Sequence, residues 1–476
     1  MIWTITKKEI LEQFISVRFL VLTLICITLL PLSLFVSYRD YQNRISDYNR
    51  SIKLNQENLD RINIGEVFTG NFSIKGYRPP SPLSVLASGL SGSIPTSLEA
   101  RKTGLTLLTG GIQNESILTA TGKIDFLFIL MIVFSLLAIL FTFDAICGEK
   151  EKGTLRAALS NSLPRDKYIL GKYFGTMITL LIPLLVATLI GLILLISLGY
   201  PLSGNEILPR IILMFLSAII LISIFTSIGL FISSRVSNSK TAIVFLISLW
   251  IILMFVIPNG SNIIARAFIP VDSDDVVELR KSLIRQNLEL EKGKRMEEME
   301  KELPQISDNI TQDEMDRLTN ERNRILNAVR NDFTQKIDEE VKKIDNKNLL
   351  ERVWQNSLAL SLARISPATS FNKVTTDLAW TGELTRTRFF TSAQAYQTTL
   401  NQSLFNHVFR DVSPSGRISM GISEGVNLKE LPLFQFERES FAETTGAIAL
   451  DVGLLLFFVI FTLVLVYVSF LKYDIR

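Results

Sequence analysis

The chain has 476 residues, 48% of them hydrophobic and 20% charged, with a mean hydropathy of +0.32 and a net charge of +3. It is too apolar for an ordinary soluble protein of this size, and too nearly neutral to point to a nucleic-acid partner. Its two cysteines, Cys26 and Cys147, lie in or beside apolar runs, so the large polar segments have no disulfide framework to hold them.

Six runs approach or exceed the roughly 20 apolar residues that cross a bilayer, where only helices satisfy their own backbone. They predict spans at 18–37, 125–147, 168–199, 209–234, 241–258 and 446–471. The first run is too long for a cleaved signal peptide and lacks a small-residue cleavage site, so it reads as a retained span. The segment 38–124 begins as a polar helix through about Arg61, then turns rich in Gly, Ser and Pro, with Pro79, Pro80, Pro82 and Pro95. Its interleaved Leu83, Val85, Leu86, Leu90, Ile94 and Leu98 fit packing against the second large segment better than a surface resting on the membrane.

After the second run, the loop 148–167 reads Gly148-Glu149-Lys150-Glu151-Lys152-Gly153-Thr154-Leu155-Arg156, continues through Leu163 and ends at Pro164-Arg165. The pattern predicts a short amphipathic helix lying across one face of the bundle, broken at Gly153. Gly148–Thr154 has the glycine spacing of a phosphate-binding loop but lacks its lysine, and it follows a span instead of a strand. ATP hydrolysis by that chemistry would need another polypeptide. The third run contains Pro183 and the fifth ends at Pro258, both places where a helix can open.

The segment 259–445 opens with a charged hairpin over about 274–363. Val276, Leu279, Leu283 and Leu290 follow helical spacing on one arm. Leu318, Ile325, Val329, Phe333, Ile337, Val341 and Ile344 do so on the other, so the two stripes are expected to face each other as an antiparallel coiled coil. Beyond Ile365 the aromatic residues Phe371, Trp380, Phe389, Phe390, Tyr396, Phe405 and Phe409 predict a compact domain, and Leu431–Phe436 leads back to the last span.

Lys7, Lys8 and Arg18, then Lys150, Lys152, Arg156, Arg165, Lys167 and Lys172, then Arg235, Lys240, Lys472 and Arg476 all fall on one side of a six-span topology. The short loop 201–208 on the other side has Glu206 and no basic residue. Short-loop charge therefore predicts both termini in the cytoplasm, with 38–124 and 259–445 outside. The fold class is an all-α polytopic membrane protein: six transmembrane helices and two extracytoplasmic α-rich domains, the second containing the hairpin.

An enzyme is disfavoured. The single histidine, His407, sits among aromatics and reads as a packed side chain, with no second histidine for a zinc site. Asp144 and Asp451 lie at opposite ends of their spans and cannot form a dyad. No catalytic, cofactor-binding or metal-binding residue is assigned.

The Gly-Glu-Lys-Glu-Lys-Gly-Thr-Leu run, followed by Ser-Asn-Ser-Leu-Pro-Arg and Tyr168-Ile169-Leu170-Gly171-Lys172, resembles the first cytoplasmic loop of ABC type-2 permeases. Ser366-Pro367-Ala368 and the closing Phe470–Arg476 agree with the branch that has a large extracytoplasmic insertion between the fifth and sixth spans. The N-terminal 1–17, with Ile5, Ile10 and Leu11 beside Lys7, Lys8, Glu9 and Glu12, is similar to that family's interfacial elbow helix. The resemblance implies that Gly148, Glu149, Lys150, Glu151, Lys152, Gly153, Thr154, Leu155 and Arg156 form a coupling element, with Glu149 and Glu151 near a motor. It further implies a separate ABC ATP-binding subunit holding ATP and Mg, a second permease copy in a homodimer, and a bacterial-type inner (plasma) membrane. The expected function is export or extraction of an amphipathic, lipid-like or polypeptide substrate. The alternative is mechanotransmission or scaffolding, in which the hairpin moves an extracytoplasmic partner and nothing crosses.

Overall fold

The computed structural model describes residues 1–59, 73–101, 104–108, 125–156, 164–200, 204–302, 311–408 and 432–471. In chain order its helices are α1 (Ile2–Phe14), α2 (Val17–Leu59), α3 (Phe126–Glu151), α4 (Arg165–Ser197), α5 (Ile207–Arg235), α6 (Ser239–Phe268), α7 (Asp274–Glu302), α8 (Gln312–Ala363), α9 (Pro367–Leu378), α10 (Glu383–Val408) and α11 (Phe441–Leu471). Six of these, α2 to α6 and α11, are long and apolar enough to cross a membrane, as the six apolar runs predict. The chain divides into two units: Met1–Met254 with Ser366–Arg476, and Phe255–Ile365.

In the first unit α5 is the central helix. It packs against α3, α4, α9 and α11, and its interior face carries Leu221, Ile222, Phe225 and Leu230. Two spans contain a π-helical turn, Ile129–Phe134 in α3 and Ile252–Val256 in α6. Such turns release carbonyls from the regular ladder, and in a bilayer those carbonyls need another donor. Here Ser366 Oγ donates to Leu253 O in the α6 turn. Trp250 Nε1, one turn earlier, donates to Ser135 Oγ (2.8 Å), which itself bonds back to Met131 O and Ile132 O in the α3 turn. The Ser-Pro-Ala sequence therefore does two things: Ser366 caps α9 through Ala368 N, and it ties α9 to the irregular turn of α6.

The segment after α2 holds a three-stranded antiparallel sheet that the sequence reading did not anticipate. Its strands are β1 (Ile74–Tyr77), β2 (Ser97–Arg101) and β3 (Gly104–Leu108), in the order β1-β2-β3, with Ile74 opposite Ala100 and Leu98 opposite Leu107. Ile74, Leu98 and Ala100 close over Phe389, Ala393, Tyr396 and Leu400 of α10. Leu83, Val85, Leu86, Ile94 and Leu98 are buried, so this stretch packs inward, as expected. Ser81 Oγ donates to Ala379 O and Thr381 Oγ1 to Ala87 O, fixing it to the end of α9. Leu90, at 37% exposure, stands outside this core. Nearby, burial together with Arg44 and Arg438 pulls the Arg78 guanidinium down to about 10. The aromatic domain after Ile365 is compact: Phe371, Trp380, Phe389 and Tyr396 are buried. Phe409, Leu431 and the side chains of Phe405 and His407 lie outside the described residues, as do 157–163, where the amphipathic helix was expected to continue.

In the second unit α7 and α8 form the expected hairpin. Lys281 pairs with Asp345, Arg352 with Asp274 and Arg322 with Glu300 across the two arms. The α8 stripe from Leu318 to Ile344 faces inward, with Phe333 buried. The expected α7 stripe does not. Val276, Leu279, Leu283 and Leu290 are exposed, and the inner face of α7 is instead made by Val277, Ile284, Leu288, Met296 and Met299. Both sets repeat at helical spacing, and the register that brings Lys281 to Asp345 turns the second set inward.

Candidate functional site

The residues of the 148–156 motif meet the start of α4, the end of α5 and the start of α6 at one end of the first unit. Two glycines on α4 let the amphipathic α1 lie directly on it. A Cβ at Gly171 would stand 2.7 Å from the Ile5 side chain, and one at Gly175 2.7 Å from that of Glu9. Small residues allow such close approach between helices in a membrane protein. Thr6 Oγ1 then reaches Gly171 O (3.3 Å), and the buried face of α1 is Thr6, Glu9 and Gln13.

That contact carries a buried charge cluster. Lys172 Nζ lies 2.8 Å from Glu9 Oε2 and 2.9 Å from Glu149 Oε1. Gln13 Nε2 donates to Glu9 Oε1 and Thr176 Oγ1, and Tyr168 OH donates to Glu149 Oε2 (2.5 Å). The Tyr168 ring stacks on Phe470 at the end of α11, with centroids 5.3 Å apart. One ammonium between two carboxylates leaves a net negative charge, and the amide and phenol each donate to one of the two carboxylate oxygens that Lys172 does not reach. A buried ion cluster is tolerable only with that degree of satisfaction.

Three consecutive residues of the motif each hold a different helix. Glu149 holds α4, and through Lys172 it holds α1. Lys150 Nζ donates to Ser234 O and Val236 O at the end of α5, where cationic groups complement the helix dipole. Glu151 accepts from Ser239 N (2.8 Å) and Ser239 Oγ (2.8 Å) at the start of α6, the end of a helix that favours a carboxylate. Just before them, Ser233 Oγ accepts from Ile146 N and Cys147 N, where α3 changes direction. Asp144 accepts two bonds from Arg18 (3.0 and 2.8 Å), tying in the start of α2. Asp144 is thus an ion-pair partner at this end.

Beyond Glu151 the backbone turns at Gly153 (φ +74°), a left-handed position that glycine adopts without strain. Leu155 then inserts among Ile146, Tyr168, Ile169, Leu230 and Phe470. The residues left facing outward are Lys152, Gly153, Thr154 and Arg156 on the turn, and Lys7, Lys8 and Glu12 on α1. The residues expected at a motor surface therefore separate into two groups. Glu9, Glu149, Lys150 and Leu155 face the bundle, and Glu151 is occupied by Ser239. Lys172, Tyr168, Ser233 and Ser239 complete the site. Sequence reasoning takes Lys172 only as a basic residue that sets orientation, and gives Ser233 and Ser239 no role; a lysine one position after Gly171, where the apolar stretch begins, is the available signal.

Another buried cation sits at the opposite end of α5. Arg210 is fully buried and donates to Leu378 O (3.2 Å), Thr444 Oγ1 (3.1 Å) and Glu439 O (2.8 Å), with its guanidinium 4.0 Å over the Trp380 ring. Trp380 has φ +55° and donates from Nε1 to Glu439 O (2.9 Å). Arg210 lies two residues beyond the loop whose lack of basic residues sets the expected orientation, and it also pairs with Glu206 of that loop (3.5 Å).

The sequence profile of a family described as "ABC-2 family transporter protein" matches residues 3–475. Among curated proteins no match is found.

Proposed function

The chain belongs to the ABC-2 transporter family, and on that premise we propose that its 148–156 turn couples ATP hydrolysis in a separate ABC ATP-binding subunit to movement of the membrane helices. The observation that carries this reading is the division of labour on the turn. Glu149, Lys150 and Glu151 each hold a different helix, while Lys152, Thr154 and Arg156 face away from the bundle. A displacement applied to the outward residues passes through short, charge-assisted contacts to α1, α4, α5 and α6 together. Physical coupling requires such a contiguous set of contacts.

In this reading both termini and the turn are cytoplasmic, and the sheet, the aromatic domain and the hairpin are extracytoplasmic, in a bacterial-type inner membrane. ATP and Mg reside in the partner subunit, and two copies of this chain pair. The cargo is amphipathic, lipid-like or polypeptide, since the spans carry no row of charges suited to an ion path. The test is co-purification from lipid with candidate ATP-binding subunits. Lys152→Glu with Arg156→Glu is expected to lose the bound subunit while the chain remains folded. Unchanged recovery of the subunit would count against the reading.

A second reading is favoured by the hairpin itself. The 52 residues of α8 span about 78 Å as a helix, far more than is needed to cap a bundle. The same turn would then drive the hairpin against an extracytoplasmic partner without transport. ATP-dependent cargo movement in sealed vesicles separates the two readings.

A further inference from the structure

α7 carries two apolar seams on nearly opposite faces, and α8 covers only one. The inner seam runs from Val277 through Ile284 and Leu288 to Met299. The outer seam is Val276, Leu279, Leu283 and Leu290, exposed by 43, 60, 49 and 61%. At about 100° per residue the centres of the two seams are separated by about 160°. The outer spacing of three, four and seven is that of alternating a and d positions in a heptad repeat, with Gln286 at the intervening d position. Gly293 and Glu297 occupy the next d and a positions and end the seam.

We propose that this outer seam pairs with the same seam of a second copy as a short parallel coiled coil. The flanking charges specify both the occupant and the direction. With Val276 at a, the g positions are Asp275, Ser282 and Glu289, acidic or neutral. The e positions are Arg280, Asn287 and Lys294, basic or neutral. A parallel pair sets each g residue against the e residue of the following heptad on the other helix. Asp275 then meets Arg280, Ser282 meets Asn287, and Glu289 meets Lys294, so both charged contacts join opposite signs. An antiparallel pair sets g against g, which brings acidic residues together. Gln286 would face Gln286 of the other copy, and a polar pair in an apolar seam fixes register.

The seam covers about two heptads, too little to hold two helices together alone in water. Its role is to set the register of hairpins whose copies are already confined to one membrane. The proposal therefore rests on the pairing of two copies in the functional reading above.

The experiment is disulfide trapping on the full chain in phosphatidylcholine vesicles, in a background of Cys26→Ala and Cys147→Ala. Single cysteines are placed at Leu283 and Gln286 on the seam, and at Arg285, an exposed position off the seam. Copper-phenanthroline oxidation is expected to link Leu283→Cys and Gln286→Cys into covalent dimers several-fold faster than Arg285→Cys. Adding Glu289→Lys should slow the Leu283→Cys reaction, and adding Lys294→Glu to that should restore it. Equal rates at the three positions, or adducts only with another protein, would overturn the proposal. The mass of the unoxidised protein in lipid separates the two failures. A dimer that does not trap at Leu283→Cys refutes the seam alone, and a monomer refutes the seam and the two-copy reading together.

Discussion

Lys172 Nζ lies 2.9 Å from Glu149 Oε1, so the last turn of α3 is fastened to α4 by an ion pair whose lysine is almost wholly buried. Glu9 completes the cluster from α1. Replacing Lys172 with Met would leave the buried Glu9 and the partly buried Glu149 carboxylates facing each other with no cation. Removing one member of a buried ion pair typically costs about 3–5 kcal/mol. Thermal unfolding of Lys172→Met in detergent should show a clearly lowered midpoint, and Glu9→Gln added to it should recover part of the loss. A midpoint equal to that of the unaltered protein would show that the cluster does not hold the elements together.

Glu149 and Glu151 are two residues apart but serve different helices, and this separation can be measured. With Glu151→Ala, the backbone amides at the start of α6, beginning at Ser239, should exchange with deuterium faster while those at the start of α4 are unaffected. With Glu149→Ala the faster exchange should appear in α1 and around Tyr168–Lys172. The same pattern in both variants would mean that the turn yields as one piece.

Arg210 serves three acceptors and lies over an indole, a combination that a planar guanidinium can make and an ammonium cannot. Arg210→Lys should therefore destabilise nearly as much as Arg210→Met, by about 1–3 kcal/mol for a buried acceptor left without a donor, as Leu378 O would be, whereas Glu439 O keeps Trp380 Nε1. Retention of stability in the lysine variant, measured by thermal unfolding, would show that charge alone is what matters at this site.

Trp250, just before the π-helical turn of α6, donates to Ser135, just after that of α3. Hydrogen bonds between helices in a membrane average about 0.6 kcal/mol and reach about 1.7. A double-mutant cycle of Trp250→Phe and Ser135→Ala should give a coupling in that range. Zero coupling would make the contact incidental.

The six spans, α1, the turn at Gly153 and the hairpin arms were legible in the sequence because each depends on local composition: apolar length, a glycine, a charged periodic stripe. The inward aim of Glu149 was not. A carboxylate within Glu-Lys-Glu-Lys reads as solvated, and its partners Glu9 and Lys172 are brought to it only by tertiary packing. The α7 stripe was misassigned for a related reason. Val276–Leu279–Leu283 and Val277–Ile284–Leu288 both have helical periods, and only the Lys281–Asp345 and Asp274–Arg352 pairs decide which faces α8. The sheet was hidden because its strands have four or five residues in a segment full of helix breakers.

Coupling as proposed would pass motion from a bound ATPase through residues 149–151 to α1 and α6. The most direct measurement is the distance between spin labels on α1 at Lys7→Cys and near the start of α6 at Lys240→Cys. It would be followed with and without ATP in lipid-embedded complexes containing the ATP-binding subunit. A nucleotide-dependent change in distance is expected, and Glu149→Gln with Glu151→Gln should abolish it while the subunit stays bound. An undiminished change in the doubly substituted protein would contradict it.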